Sequence, residues 1–256
     1  METQENPLIG VIGGVGPYAG LDFFKNILDN TVASRDQEHI SAILLSCPVL
    51  IQDRTEFILG NAPENPAFAM FECAKRLHVV GVKYASIPCN TAHSGVIFTP
   101  FIDMVHENLP GLVIVNMLET CVSHIKQNLP GIKRIGYLAS KGTYNSRVYH
   151  EYFKAGDGFS LIEPEEQERE QIHEAIYSKD FGIKAHSSPV HDKAQRILHH
   201  EVSKLLDRGA EAVILGCTEL PLAINPADFY APVIDPGKIT ARKLINLVAP
   251  QKLRRD

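Results

Sequence analysis

The chain has 256 residues, 45% of them hydrophobic, and a formal net charge of −5. This length builds one large domain or two small ones with sizeable cores, and the mildly acidic balance argues against a nucleic acid or an anionic membrane surface as partner. No apolar run approaches the roughly 20 residues that span a bilayer, the polar start Met1-Glu2-Thr3-Gln4-Glu5-Asn6 is unlike a secretory signal, and five cysteines without framework spacing fit reduced thiols in a cytoplasmic protein.

Strand and helix patterns alternate along the chain, which predicts an α/β fold with largely parallel sheet. Residues 8–13 form a buried-strand run ending in glycines. Residues 18–32 have helical periodicity, with Leu21, Phe24, Ile27 and Leu28 on one side. A strand is expected at 43–46, followed by an irregular stretch through Asn61, a helix at 66–80 and a strand at 84–88 that delivers Cys89. Residues 94–108 read as a helix interrupted by Pro100. The second half begins near Gly111 and repeats the scheme. The charge run from Glu163 to Glu170 reads as a solvated acidic start to a helix. The last segment, from Pro232, is expected to return to the first half. The expected division is therefore a first α/β domain of residues 1–113 with 229–256, and a second of residues 114–228.

The scheme repeats in detail. Cys89 follows the apolar run Val82-Lys83-Tyr84-Ala85-Ser86-Ile87-Pro88, and Cys217 follows Glu211-Ala212-Val213-Ile214-Leu215-Gly216. Gly81 and Gly209 each lie eight residues before a cysteine, and the cysteines are 128 positions apart, half of the chain. Ile9-Gly10-Val11-Ile12-Gly13-Gly14 matches Ile135-Gly136-Tyr137-Leu138-Ala139-Ser140 at an offset of 126, and Val113-Ile114-Val115-Asn116 matches Pro232-Val233-Ile234-Asp235 at 119. Three landmarks in one order point to duplication, in units far larger than solenoid repeats.

Each of the two cysteines is expected at the carboxyl end of a strand, where open α/β sheets bind ligands, and just before a helix whose N–H groups would favour a thiolate. Cys47, Cys73 and Cys121 lack this duplicated placement and read as small buried hydrophobes. Two matched thiols facing one cleft would set an acid on one side of a substrate and a base on the other. Gly13-Gly14-Val15-Gly16 lacks Rossmann spacing, and no Gly-Lys-Ser/Thr follows, so nucleotide binding is discounted. His93 is four residues from Cys89, but without a further local ligand no metal site is expected. It reads either as a residue that tunes the thiolate or as a structural hydrogen-bonding group. His199-His200 reads as an exposed pair on a helix. Ser140 and Thr143 stand in the second half's counterpart of the glycine loop. They are candidates for holding an anionic group of a ligand, an α-carboxylate under the resemblance given next, or for an ordinary helix cap.

Pro88-Cys89-Asn90-Thr91-Ala92-His93 and Gly216-Cys217-Thr218-Glu219 resemble the two signature motifs of the aspartate/glutamate racemase superfamily, and Gly13-Gly14-Val15-Gly16-Pro17 resembles its glycine loop. Asp36-Gln37-Glu38-His39, the run from Asp53-Arg54-Thr55 to Gly60, and Glu219 after Cys217-Thr218 resemble the aspartate racemase branch. The resemblance spans about residues 8–247. It implies two pseudo-symmetric α/β domains with the active site in the cleft between them, a homodimer, and racemisation without a cofactor. One thiolate removes the α-hydrogen and the opposite thiol protonates the other face. Fixed dipoles must then stabilise the carbanion, and Asn90, Thr91 and Thr218 are candidates. Arg54 matches the family's side-chain carboxylate clamp. A lysine expected shortly after an Ile-Tyr pair is assigned to Lys184, though the spacing from Ile176-Tyr177 is about two residues longer than in the branch.

Related reactions remain open at this point. Hydantoin racemases and maleate isomerases also carry two cysteines, whereas arylmalonate decarboxylases use one. A carboxylate-binding sensor without turnover would leave the duplicated thiols without a purpose. The neighbourhood of Arg54 favours an amino-acid racemase acting on aspartate, glutamate or a related acid.

Overall fold

The computed structural model describes residues 7–255. Two four-stranded sheets, all parallel, repeat one topology. The first contains β1 (Leu8–Gly13), β2 (Ala42–Ser46), β3 (Val82–Ser86) and β4 (Val113–Ile114) in the order β2-β1-β3-β4. The second contains β5 (Arg134–Leu138), β6 (Ser160–Ile162), β7 (Ala212–Leu215) and β8 (Val233–Ile234) in the order β6-β5-β7-β8. Central strands covered on both faces explain the unbroken apolar runs, since alternation is lost when neither face meets water.

Helices α1 (Pro17–Asp29) and α10 (Pro236–Val248) cover one face of the first sheet, with Phe23, Ile27, Leu244 and Ile245 packed against Ile9 and Val11. Helices α3 (Pro66–Val79) and α4 (Gly95–Asn108) cover the other. The second sheet is held between α5 (Met117–Asn128) with α7 (Val148–Tyr152) on one face, and α8 (Glu166–Tyr177) with α9 (Asp192–Asp207) on the other. The chain crosses between sheets twice, after β4 into α5 and after β8 into α10, and these two helices pack on each other. Asn116 caps α5 and Asp235 caps α10 through their side-chain oxygens. The third landmark of the repeat is thus a pair of equivalent hinges.

Several expectations change. The return to the first sheet starts at α10, not at Pro232, because β8 pairs with β7 and belongs to the second sheet. The helix at the start buries Phe23 and Ile27 and exposes Leu21, so its inner face is turned from the one expected. The stretch through Asn61 contains a short helix, α2 (Arg54–Ile58), capped by the Asp53 carboxylate on the N–H groups of Thr55 and Glu56. Helix α4 runs unbroken through Pro100. Proline leaves the carbonyl four residues back without its donor, and here the amide of Asn65 donates to that carbonyl, Val96, at 2.8 Å. The acidic run is only partly solvated: Glu168 is buried against Arg208 and Lys204, and Glu163 accepts from Tyr137.

Candidate active site

Strands β3 and β7 end side by side across the seam between the sheets, and each ends close to its cysteine. Cys89 and Cys217 line one small inner chamber together with Arg54, Asn90, Thr91, Ser140, Lys184, Thr218 and Glu219. Cys47, Cys73 and Cys121 lie elsewhere: Cys73 and Cys121 are fully buried in the cores, whereas Cys47, expected to be buried, is only half-buried, and burial pushes the Cys73 thiol up to about 12. Neither paired cysteine is followed directly by an α-helix. A 3₁₀ turn follows each, at Thr91–His93 and Leu220–Leu222, and α4 begins only at Gly95. The helix-dipole support expected for a thiolate is therefore absent here, because that support fades beyond the first turn.

Hydroxyls close the seam. Thr218 Oγ1 donates to the carbonyl of Pro88 at 2.8 Å, the Thr91 and Thr143 hydroxyls pair at 2.8 Å, and Thr55 meets Ser140 at 3.3 Å. Tyr177 donates to Thr55 at 3.0 Å, and Tyr149 donates to Asn90 Oδ1 at 2.9 Å. The helix α6 (Lys141–Ser146) comes so near α2 that a Cβ on Gly142 would lie 2.7 Å from the Cα of Thr55. Only glycine permits that approach. Ser140 starts α6, but its side chain makes no cap bond. Its hydroxyl points into the seam cluster instead.

The Arg54 guanidinium is 6% exposed and rests beside Cys89. It donates to the carbonyls of Val15, at 2.6 Å, and Gln52, at 3.1 Å, and its Nε is buried with no partner. Asn90 Nδ2 is likewise buried and unpaired. A buried donor without an acceptor costs free energy until something accepts from it, so both point to an anionic or carbonyl-bearing ligand in the chamber.

On the other side, Cys217 donates its S–H to Glu219 Oε2 at 3.0 Å, and Lys184 Nζ meets Glu219 Oε1 at 2.5 Å. Burial first, then the Glu219 carboxylate, pushes the Cys217 thiol well above its ordinary range. Burial opposes the Lys184 ammonium most, but Glu219 together with Tyr177 and Cys217 outweighs it, so the lysine's pKa is raised. Lys184 reaches this place by a fold-back after α8, where Ile183 and Lys184 donate to the carbonyls of Ala175 and Ile176. Gly182 makes the fold-back possible, since a Cβ there would lie 2.5 Å from the nitrogen of Ser178.

His93 has a structural place. Its Nε2 accepts from the N–H of Met117 at 3.2 Å, so Nδ1 carries the hydrogen and donates to the carbonyl of Cys89 at 2.8 Å. Burial lowers its pKa to about 4, opposed by that hydrogen bond. The neutral ring pins the Cys89 backbone to the start of the crossover helix α5. His199 and His200 are exposed on α9, as expected. Among the described residues no group of three or more His, Cys, Asp or Glu is placed to hold a metal ion, and no helix is long and apolar enough to cross a membrane.

Reasoning from sequence did not assign Glu219, Thr55, Tyr177, Tyr149 or Asp53 to the site. Tyr177 and Tyr149 reach the seam from the second half with only their hydroxyls, which no spacing signals. Asp53 caps α2, and the pattern Asp53-Arg54-Thr55-Glu56 carried the signal, an N-cap residue three before a glutamate. The chamber itself measures only about 10 Å³, room for about one water. It adjoins an outer vestibule of about 450 Å³ bounded by Gly14, Gly16, Tyr18 and Ser187.

Along 93% of its length the chain is 24% identical to the broad specificity amino-acid racemase RacX of Bacillus subtilis, covering 97% of that protein. The aspartate racemase of Picrophilus torridus superposes with a TM-score of 0.79 at 25% identity, over 94% of each chain. The glutamate racemase of Francisella tularensis, solved in complex with D-glutamate, shares the fold with a TM-score of 0.62 at 20% identity, over 98% of this chain and 84% of that one. Residues 12–244 match the Asp/Glu/hydantoin racemase family profile, and the chain belongs to that family of isomerases.

Proposed function

We propose that this protein interconverts the enantiomers of an amino acid with a carboxylate side chain, aspartate, glutamate or a close relative, by proton transfer between Cys89 and Cys217 and without a cofactor. The observation that carries the reading is that both cysteines line one chamber at the seam between matching sheets. One sulfur, as thiolate, takes the α-hydrogen as a proton, and the C–H electron pair is left on the α-carbon and its carboxylate. The other sulfur gives its proton to the opposite face. The first cysteine then carries the proton and the second is the thiolate, so the reverse reaction starts from the exchanged state. Because one sulfur must be charged and the other neutral, unequal surroundings suit the pair.

The carbanion is the difficult species, and fixed donors must meet the charge that spreads onto the substrate carboxylate. The unpaired Asn90 amide is the first proposed donor, and the hydroxyls of Thr91, Ser140, Thr143 and Thr218 are further candidates that would have to exchange their present partners to serve. Arg54 is the proposed clamp for the side-chain carboxylate, with Lys184 as the second cation. Entry of an amino acid requires the seam or the Lys184–Glu219 contact to open, because the closed chamber is too small. Homodimerisation and a cytoplasmic setting remain part of the proposal. The direct test incubates pure protein, dialysed against chelator, with single-enantiomer amino acids in D₂O, and reads inversion by chiral chromatography and α-deuteration by NMR. Inversion of aspartate or glutamate with deuterium at the α-carbon is expected. A requirement for pyridoxal phosphate or a divalent metal, or a preference for neutral amino acids, would overturn the corresponding part of the reading.

A further inference from the structure

Three residues, Arg54, Lys184 and Glu219, line both the outer vestibule and the inner chamber, and so form the neck between them. The Glu219 carboxylate is used on both oxygens, by Lys184 on one and the Cys217 thiol on the other. It also presses on the glycine loop: a Cβ on Gly16 would lie 2.4 Å from Oε1. Lys184 remains 23% exposed at the neck while the side chain of Glu219 is only 4% exposed. The cation that a side-chain carboxylate would seek is therefore already held by an internal carboxylate, whereas Arg54 keeps a buried donor without a partner.

Resting on the reading of this site as one for amino-acid carboxylates, we infer that Glu219 determines specificity by acting as a built-in competitor for Lys184. A substrate carrying a distal carboxylate takes the ammonium only by displacing Glu219. An anion tethered two residues from Cys217 competes at a high effective concentration. Apparent affinity for the acid then falls by the fraction of molecules in which Lys184 is free. A neutral side chain of the same size makes no claim on Lys184 and pays no such penalty. Displacement also removes the acceptor from the Cys217 S–H, so admission of an acidic side chain and release of this thiol toward the chamber are one event. The contact thus narrows the advantage of acidic over neutral substrates that Arg54 and Lys184 would otherwise give.

The test is calorimetric and needs no turnover. Succinate and its monoamide, succinamate, are titrated into wild-type protein, Glu219→Gln, Lys184→Gln and the double variant, with circular dichroism as the check on folding. Glu219→Gln is expected to tighten succinate by about tenfold or more, while succinamate changes by less than about twofold. Lys184→Gln should weaken succinate, and the double variant should lose the gain of Glu219→Gln. If Glu219→Gln does not fold, Glu219→Asp, which withdraws the same charge from Lys184, should give a smaller tightening in the same direction. Equal effects on both ligands, a gain that persists without Lys184, or no succinate binding by any variant would each overturn the inference. Failure of wild-type protein to invert acidic amino acids would instead sink the proposed reaction, and leaves the binding result standing on its own.

Discussion

Cys89 and Cys217 end equivalent strands, but their neighbours treat the two sulfurs differently. Cys89 rests beside the Arg54 guanidinium, and its backbone is pinned by the neutral ring of His93. Cys217 gives its hydrogen to Glu219, and burial together with that carboxylate keeps it a thiol. Duplication set where the two sulfurs stand, because strand ends and registers repeat. The residues next in the chain differ, Asn90-Thr91 in one half and Thr218-Glu219 in the other, and Glu219 sets a carboxylate against the Cys217 sulfur. In the ligand-free site the proton of Cys217 is held beside Glu219.

The strongest way to break this comparison is to remove either sulfur. Cys89→Ala and Cys217→Ala should each lower racemisation by about 10²–10⁴-fold, the usual worth of a positioned acid or base, with unchanged circular dichroism. Near wild-type turnover in either variant would mean that the matched placement is only inherited architecture. Next in size is Arg54→Ala. Truncating one partner of a buried charged contact typically costs about 2–5 kcal/mol, and here it should fall on aspartate and glutamate far more than on asparagine and glutamine. Equal small losses in kcat/KM across acids and amides would show that Arg54 serves only the loop carbonyls of Val15 and Gln52.

Much of this was legible in the chain itself. Buried parallel strands read as apolar runs, so β1, β3, β5 and β7 and the cysteines at their ends could be placed from composition and repeat alone. The short helix α2 was not, because five residues are too few for an apolar period and only the Asp53 cap marks it. The destination of β8 was hidden for another reason. A two-residue strand carries no information on which sheet it joins, and the symmetry with β4 fits either choice until pairing is seen. At the site, the repeat singled out the two thiols, and the family resemblance singled out Arg54. The contacts that distinguish the two sides, Lys184 on Glu219 and Tyr149 on Asn90, join residues 35 and 59 positions apart, and no local pattern encodes them.

The hinges sharpen the comparison at the level of stability. Asn116 and Asp235 cap equivalent crossover helices, but one is neutral and the other is a half-buried acid. Burial raises the Asp235 pKa to about 6, against the N–H groups of Lys238 and Gly237 that lower it and with the nearby Asp22 adding to the rise. A folded-state pKa above the unfolded value near 3.9 means that this group favours the native state in acid. That contribution is lost as pH rises from about 4 to 6 and stays lost above. Asp235→Asn keeps the cap and copies Asn116. It should raise the unfolding free energy above pH 6 by up to about 3 kcal/mol, the linkage value of a two-unit shift, and leave it nearly unchanged at pH 4. Denaturant melts at the two pH values decide it, and a gain of equal size at both would assign the effect to packing instead.

The smallest expected effect concerns the seam, where the halves are joined by different bonds at matching places. Thr218 reaches across to the carbonyl of Pro88, just before Cys89, whereas Thr91 reaches across to another hydroxyl, that of Thr143. Replacing Thr218 by Val keeps the shape and strands a buried carbonyl, which costs about 1–3 kcal/mol. Replacing Thr91 by Val leaves Thr143 a further contact with Ser140 at 3.4 Å, so the loss should be nearer the net worth of one hydrogen bond, about 1 kcal/mol. The order of the two losses in urea melts is the reading. Because Pro88 also sets the backbone that aims Cys89, Thr218→Val should lower kcat at unchanged KM for the proposed substrates. A larger stability loss for Thr91→Val would show that the hydroxyl cluster, and not the thiol-bearing turns, carries the contact between the two sheets.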